Sequence, residues 1–212
     1  MPTLDIATYF SEPQPAIGPD FTIGRHGRDG PEKWLEAPRE LLLAYPSREP
    51  FQIFILGGAE VAFRRLGGRP PNWTVAGFGT MAVRDYLEKL DAFVYFPHSK
   101  LREGFGRSVA EAMLAGRACI LSRSLAPNFN DLAFYCLPGQ VPELVGLLAS
   151  DDPGRVAFLK EVQNIACFRH GQSNIDRHLA ETGLWSNEST HPALSLSPAA
   201  RQWRSEILAA LS

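Results

Sequence analysis

Glu103-Gly104-Phe105-Gly106-Arg107-Ser108-Val109-Ala110-Glu111 lies between two apolar runs, Ala92-Phe93-Val94-Tyr95-Phe96 before it and Ala118-Cys119-Ile120-Leu121 after it. Its two carboxylates stand eight residues apart, separated by two glycines and the start of a helical pattern. Strand, glycine turn, helix, strand is the order that aims unpaired backbone N–H groups at a phosphate. A carboxylate at each end adds acceptors for hydroxyl groups. Phosphate donors beside hydroxyl acceptors point to a nucleotide-sugar site.

The same alternation extends outward. Phe21-Thr22-Ile23 begins the folded pattern and is followed by a glycine-rich loop over 24–30. A helical stretch runs from Pro31 to Tyr45, with Pro38 set to break it. Phe51–Leu56 reads as a strand, Ala59–Leu66 as a helix and Trp73–Ala76 as a strand closed by Gly77-Phe78-Gly79. Thr80 is a candidate cap for a helix reaching Leu90. The central unit contributes strand 92–96, helix 106–115 and strand 118–121, and Ala133–Leu137 reads as a sixth strand. Helical pattern dominates from Val141 to about Gly183.

Wholly apolar strands alternating with helices predict an α/β fold, a Rossmann-like parallel sheet of about six strands with helices on both faces. Ligands of such sheets bind beyond the carboxyl ends of the strands, where four glycine-rich loops fall: 24–30, 57–58, 77–79 and 104–106. Residues 1–20 read as a linker and 21–184 as the domain. Residues 185–212 read as a polar linker with a final helix, whose stripe Ala199, Trp203, Ile207 and Leu211 needs a partner surface.

Composition bounds the function. Hydrophobic residues make up 45% of the 212, enough for a sizeable core. With 21 basic and 23 acidic side chains, no basic face for nucleic acid is expected. Cys119, Cys136 and Cys167 are far apart and suit a reducing, cytoplasmic setting. No secretory leader and no transmembrane segment are read. No acidic or histidine cluster suggests a metal, and no cofactor is expected.

If the helix begins near Gly106, Glu103 lies in the loop and Glu111 in the second turn. The amides of roughly residues 105–108 are then open to an anion. Val109, Ala110, Met113 and Leu114 supply the core face, with Glu111 beside it. The bland alternative is a loop acid and a solvated helical acid. His26, in the phosphate loop, and His98, near the sugar loop, could each touch a ligand or sit exposed. His170 and His178 read as a solvated face. Gly106-Arg107-Ser108 is a poor nucleophile elbow, because Ser108 does not directly follow a strand.

The stretch resembles the E-x7-E motif of retaining glycosyltransferases of the two-Rossmann-domain (GT-B) type, glycosyl transferases group 1, family 4-like, over about Phe21 to Ala180. The resemblance implies the donor-binding, C-terminal half of such an enzyme. Gly24, Arg25 and Lys33 match its diphosphate clamp, with Arg28 a competing candidate. Gly77 and Phe78 match its nucleobase loop. Gly104, Phe105, Gly106 and Arg107 match the loop that approaches sugar and phosphate, Glu103 the hexose contact and Glu111 the ribose ligand. Arg25, Lys33 and Glu103 would then serve catalysis without a metal. The donor is a nucleotide-diphosphate sugar and the acceptor is open. The acceptor-binding domain is expected outside these residues, in a larger enzyme or on a partner chain, and the surface where it would dock predicts self-association. The alternative is a non-catalytic nucleotide-sugar-binding module; an epimerase of related fold would need an acid/base group not found here.

Overall fold

In the computed structural model, which describes residues 4–13, 18, 20–101, 106–150, 152–170 and 195–211, the apolar runs become strands of one sheet. They are β1 (Phe21–His26), β2 (Phe51–Leu56), β3 (Trp73–Ala76), β4 (Ala92–Tyr95), β5 (Ala118–Ser122) and β6 (Phe134–Cys136). All pairings are parallel and the order is β3-β2-β1-β4-β5-β6. The expected α/β class and six-stranded parallel sheet are therefore present. The order reverses between β1 and β4, which opens a crevice beyond their carboxyl ends.

On one face lie α2 (Pro38–Ala44), α3 (Glu60–Leu66) and α7 (Val141–Ser150). On the other lie α4 (Val83–Leu87), α5 (Arg107–Leu114) and α8 (Asp152–His170), joined by a short N-terminal turn, α1 (Ile6–Tyr9). α6 (Ala126–Phe129) follows β5, and α9 (Pro198–Ala209) closes the described chain against α7 and α8. No helix among the described residues is long and apolar enough to cross a membrane.

α5 is the helix that positions the site. Val109 through Leu114 are all buried, because the sheet covers one side and α8 and α1 the other. Gly116 ends it at φ 66, with the Gly116 amide donating to Met113 and the Arg117 amide to Ala112. That left-handed cap is one a glycine takes without steric cost.

Several local expectations change. β1 runs to His26, so Gly24 and Arg25 lie inside the strand, and the loop begins at Gly27. The stretch from Pro31 to Tyr45 splits into a 3-10 turn, Pro31–Lys33, and α2, which Pro38 opens rather than breaks. Thr80 caps nothing: its hydroxyl donates to the Gly77 carbonyl, and α4 starts after Ala82. On α9 the expected stripe holds at Trp203, Ile207 and Leu211, whereas Ala199 is exposed and Ala200 is buried in its place. Its partner surface is this chain's own, since Trp203 packs on Phe134 and Phe158. Residues 4–13 are folded onto the domain, as described below. Residues 171–183 of the helical stretch, and 184–194 beyond it, lie outside the described residues.

Candidate functional site

The crevice between the ends of β1 and β4 is built from β1, the turn after it, and the start of α5. Gly106 sits at the N-terminus of α5 with φ 71, and no side chain caps the helix. The amides of Val109 and Ala110 both turn back to the Gly106 carbonyl. That leaves the Arg107 and Ser108 amides at the uncapped end of the helix, where the helix dipole adds partial positive charge.

Glu111 follows one turn later and is only 4% exposed. Its Oε1 accepts from Arg107 Nε at 2.9 Å, and its Oε2 lies 3.2 Å from His26 Nε2. The second contact is not an aligned hydrogen bond, and the buried His26 Nε2 is left without one. Burial first, then the neighbouring Arg25 charge, lower the His26 pKa to about 4, partly opposed by the Ser108 backbone. The imidazole is therefore neutral at pH 7. Its ring is held edge-on by Tyr86 and Phe93. The α1 turn packs beside α5, with the Tyr9 ring half-buried against the core.

Arg25 projects to the opposite face of β1 and is 1% exposed. Its guanidinium stacks 4.4 Å from the Trp34 ring centre and 5.2 Å from that of Tyr95. Nη1 donates to the Lys33 carbonyl at 2.6 Å, whereas Nε has no hydrogen-bond partner. Among the described residues no carboxylate pairs with it, so a buried positive charge lacks a counterion. Lys33 is half-buried in the turn that Arg25 pins, and Arg28 is exposed. Arg65 donates to the Trp34, Leu35 and Pro31 carbonyls, and Asp29 accepts from Trp34 Nε1 and the Val61 amide. These bonds fix the turn to α3.

Gly24 does not line the crevice. A Cβ there would collide with the Phe54 carbonyl and meet the Tyr86 hydroxyl at 2.7 Å. Gly77 and Gly79 flank Phe78, which is 74% exposed beyond β3, two strands from the crevice on the β2 side. After β4, the Ser99 amide and hydroxyl donate to Glu36, which ties this loop to the turn before α2. Although burial opposes ionisation, the Ser99 hydrogen bonds lower the Glu36 pKa. His98 Nδ1 lies 3.1 Å from Glu36 and accepts from the Lys100 amide. Glu103, Gly104 and Phe105 lie outside the described residues.

The structure thus joins Arg107 and Glu111 at one point, puts Arg25 and Lys33 on the neighbouring turn, and leaves Gly24 in the core. Sequence reading missed the docking of the α1 turn against α5, and it missed the pairing of His26 with Glu111. The signal for the first was Asp5, a helix-capping residue ahead of Ile6 that would have argued against a plain linker.

A doubly wound parallel sheet with these features corresponds to one Rossmann-like half of the GT-B architecture. The family described as glycosyl transferases group 1 matches residues 21–148, and the chain belongs to it. Among solved structures, HepE from Anabaena in complex with UDP and glucose is similar with a TM-score of 0.60 at 20% identity, over 86% of this chain and 55% of that one. The lipopolysaccharide outer core galactosyltransferase WaaB, in its apo form, gives a TM-score of 0.55 at 19% identity, over 87% of this chain and 55% of that one. A GtfA/B complex gives 0.58 at 17% identity, over 86% and 38%. The chain thus spans about half the length of the first two of these structures. No curated protein matches it significantly.

Proposed function

We propose that this chain is the donor-binding half of a retaining glycosyltransferase that takes a nucleotide-diphosphate sugar. The observation that carries the reading is Glu111: a carboxylate buried one turn into an uncapped helix, at the strand-order reversal of a group 1 glycosyltransferase domain. In this reading Glu111 accepts the ribose hydroxyls, and the α5 amides with Arg107 take the diphosphate. Phe78 gives the base an aromatic surface beside Gly77. Glu103, Gly104 and Phe105 contact the hexose.

Arg25 and Lys33 have a graded role in the proposal. Lys33 reaches the diphosphate from its turn. Arg25 acts from beneath, its charge uncompensated among the described residues until an anion arrives. Negative charge grows on the leaving nucleoside diphosphate as the glycosidic bond breaks, so fixed cations and amides stabilise the transition state more than the ground state. No metal is needed for that role. The UDP-bound state of HepE lends support at the level of fold.

Transfer also needs an acceptor site, which we propose lies in a further domain, on a partner chain or on a second copy. A cytoplasmic setting fits three unpaired cysteines. The test is calorimetric titration with UDP, GDP and ADP, native protein against Glu111→Ala. One nucleotide is expected to bind, with affinity falling at least about tenfold in the variant, as for loss of a charged hydrogen-bond acceptor. Equal binding by both proteins, or none by a folded native chain, contradicts the reading.

A further inference from the structure

On the reading proposed above, Glu111 has to present its carboxylate to a ribose diol in a fixed direction. Its own torsions do not fix that direction, because the last torsion of a glutamate is broad. Oε1 is held by Arg107 Nε at 2.9 Å, but the Arg107 side chain is long and 63% exposed, which makes it a pliant strap. Oε2 has a more rigid neighbour, His26 Nε2 at 3.2 Å, and both of those side chains are almost closed to solvent.

His26 is held from several sides. It ends β1 in register with Leu56 of β2, and the next amide, that of Gly27, donates to the Leu56 carbonyl at 3.0 Å. Gly57 lies so close to the Gly27 carbonyl that a Cβ there would stand 2.1 Å from its oxygen. The imidazole meets Tyr86 edge-on at 6.0 Å between ring centres, and Phe93 at 5.7 Å. Tyr86 is itself pinned, its hydroxyl donating to the Phe54 carbonyl at 2.7 Å. Swinging the imidazole away from Glu111 would displace this wall.

The contact also decides where the proton sits. Burial keeps the imidazole neutral at pH 7, so it carries one N–H. A carboxylate oxygen 3.2 Å away repels a nitrogen lone pair and attracts an N–H, which puts the proton on Nε2. That N–H is buried, and among the described residues it makes no hydrogen bond. An orphaned buried donor is costly, and the acceptor that would relieve it is already within reach. Polar contacts in a ligand-free site are often long or poorly aligned and tighten in the complex. Being neutral, the ring can direct the carboxylate without cancelling its charge.

We infer that His26, at the end of β1, is a positioning residue of the nucleotide site: its Nε2–H bonds Oε2 of Glu111 as ribose hydroxyls take the remaining lone pairs, and so sets the direction in which the carboxylate meets the diol. His26 therefore raises affinity only for ligands that carry the ribose hydroxyls.

The experiment measures dissociation constants of UDP, GDP and ADP, and of their 2′,3′-dideoxy counterparts, for the native chain, His26→Phe and His26→Gln, with melting temperatures as a check of folding. Phenylalanine keeps a ring and removes the donor, whereas glutamine carries an N–H at similar reach. For the nucleotide that binds, His26→Phe is expected to weaken the ribose form at least about fivefold, the worth of one hydrogen bond. The dideoxy form is expected to change less than about twofold, and His26→Gln to recover most of the loss. A long-range proton–nitrogen NMR spectrum of the native imidazole at pH 7, which needs no variant, should place the proton on Nε2. A proton on Nδ1 overturns the inference, as does an equal loss for ribose and dideoxy forms in His26→Phe. If binding is lost in Glu111→Ala yet unmoved in His26→Phe, the inference alone fails. If no nucleotide binds the folded native chain, the nucleotide-site reading fails and takes the inference with it.

Discussion

His26 links the site to stability. Its pKa is about 4 in the folded chain against an ordinary 6.5, so between those values the unfolded chain binds the extra proton. Stability contributed by the neutral, buried imidazole is thus complete above about pH 6.5 and is lost as pH falls toward about 4, in all on the order of 3 kcal/mol. His170, also lowered by burial to about 4, adds to the same slope. Denaturant unfolding of His26→Gln across this range should give a visibly shallower pH dependence; an unchanged slope would count against a neutral His26. Arg25 makes the opposite kind of prediction. A buried guanidinium without a carboxylate is weak support for a fold. Arg25→Met should stay within about 2 kcal/mol of native stability while nucleotide affinity drops at least about tenfold. Loss of the fold with no separable binding defect would contradict this. At this scale the sequence was half-legible. The residue types around Glu111 and Arg107 were visible because they sit within one helical turn. Their neighbour His26 comes from a distant element, and no local pattern announces such a contact.

Among the elements, the strands were the legible part. An apolar run bounded by glycine has few other outcomes, and β2 and β3 begin and end where the pattern places them. The errors came where one residue has two uses. Proline either breaks a helix or opens one, and the extended backbone at Ala37 lets Pro38 open α2. Glycine either frees a turn or admits a neighbour, and at Gly24 the neighbour is Tyr86, whose hydroxyl donates to the Phe54 carbonyl. Gly24→Ala is accordingly expected to cost about 2–3 kcal/mol by overpacking, read as a lower melting temperature. A variant as stable as the parent would return Gly24 to the ligand loop. The helix starting at Gly106 differs, because there the demand is conformational. Its positive φ should make Gly106→Ala cost about 1 kcal/mol.

For the molecule as a whole, strand order follows from sequence only in part. Alternating apolar strands and helices dictate a parallel sheet, but the reversal between β1 and β4 depends on which face each crossover takes. The two chain ends were the least legible. Residues 4–13 carry one short turn and no periodicity, so their attachment to α5 and α8 is purely tertiary. On α9 the helical period was plain, yet its partner was unreadable, because Phe134 and Phe158 are aromatic residues of elements far away in sequence. Trp203→Ala should lower stability by about 2–3 kcal/mol with the chain's association state unchanged. Self-association appearing only in the native protein would instead make that stripe an interface.

The central claim is that a nucleoside diphosphate sits between the ends of β1 and β4 at the start of α5. Amide chemical-shift mapping by NMR of the native chain, titrated with UDP, GDP and ADP, tests it most directly. For the nucleotide that binds, the account predicts saturable shifts at Gly27, Arg107, Ser108 and Phe78. Saturable binding whose shifts cluster elsewhere, or leave Arg107 and Ser108 unmoved, would contradict it.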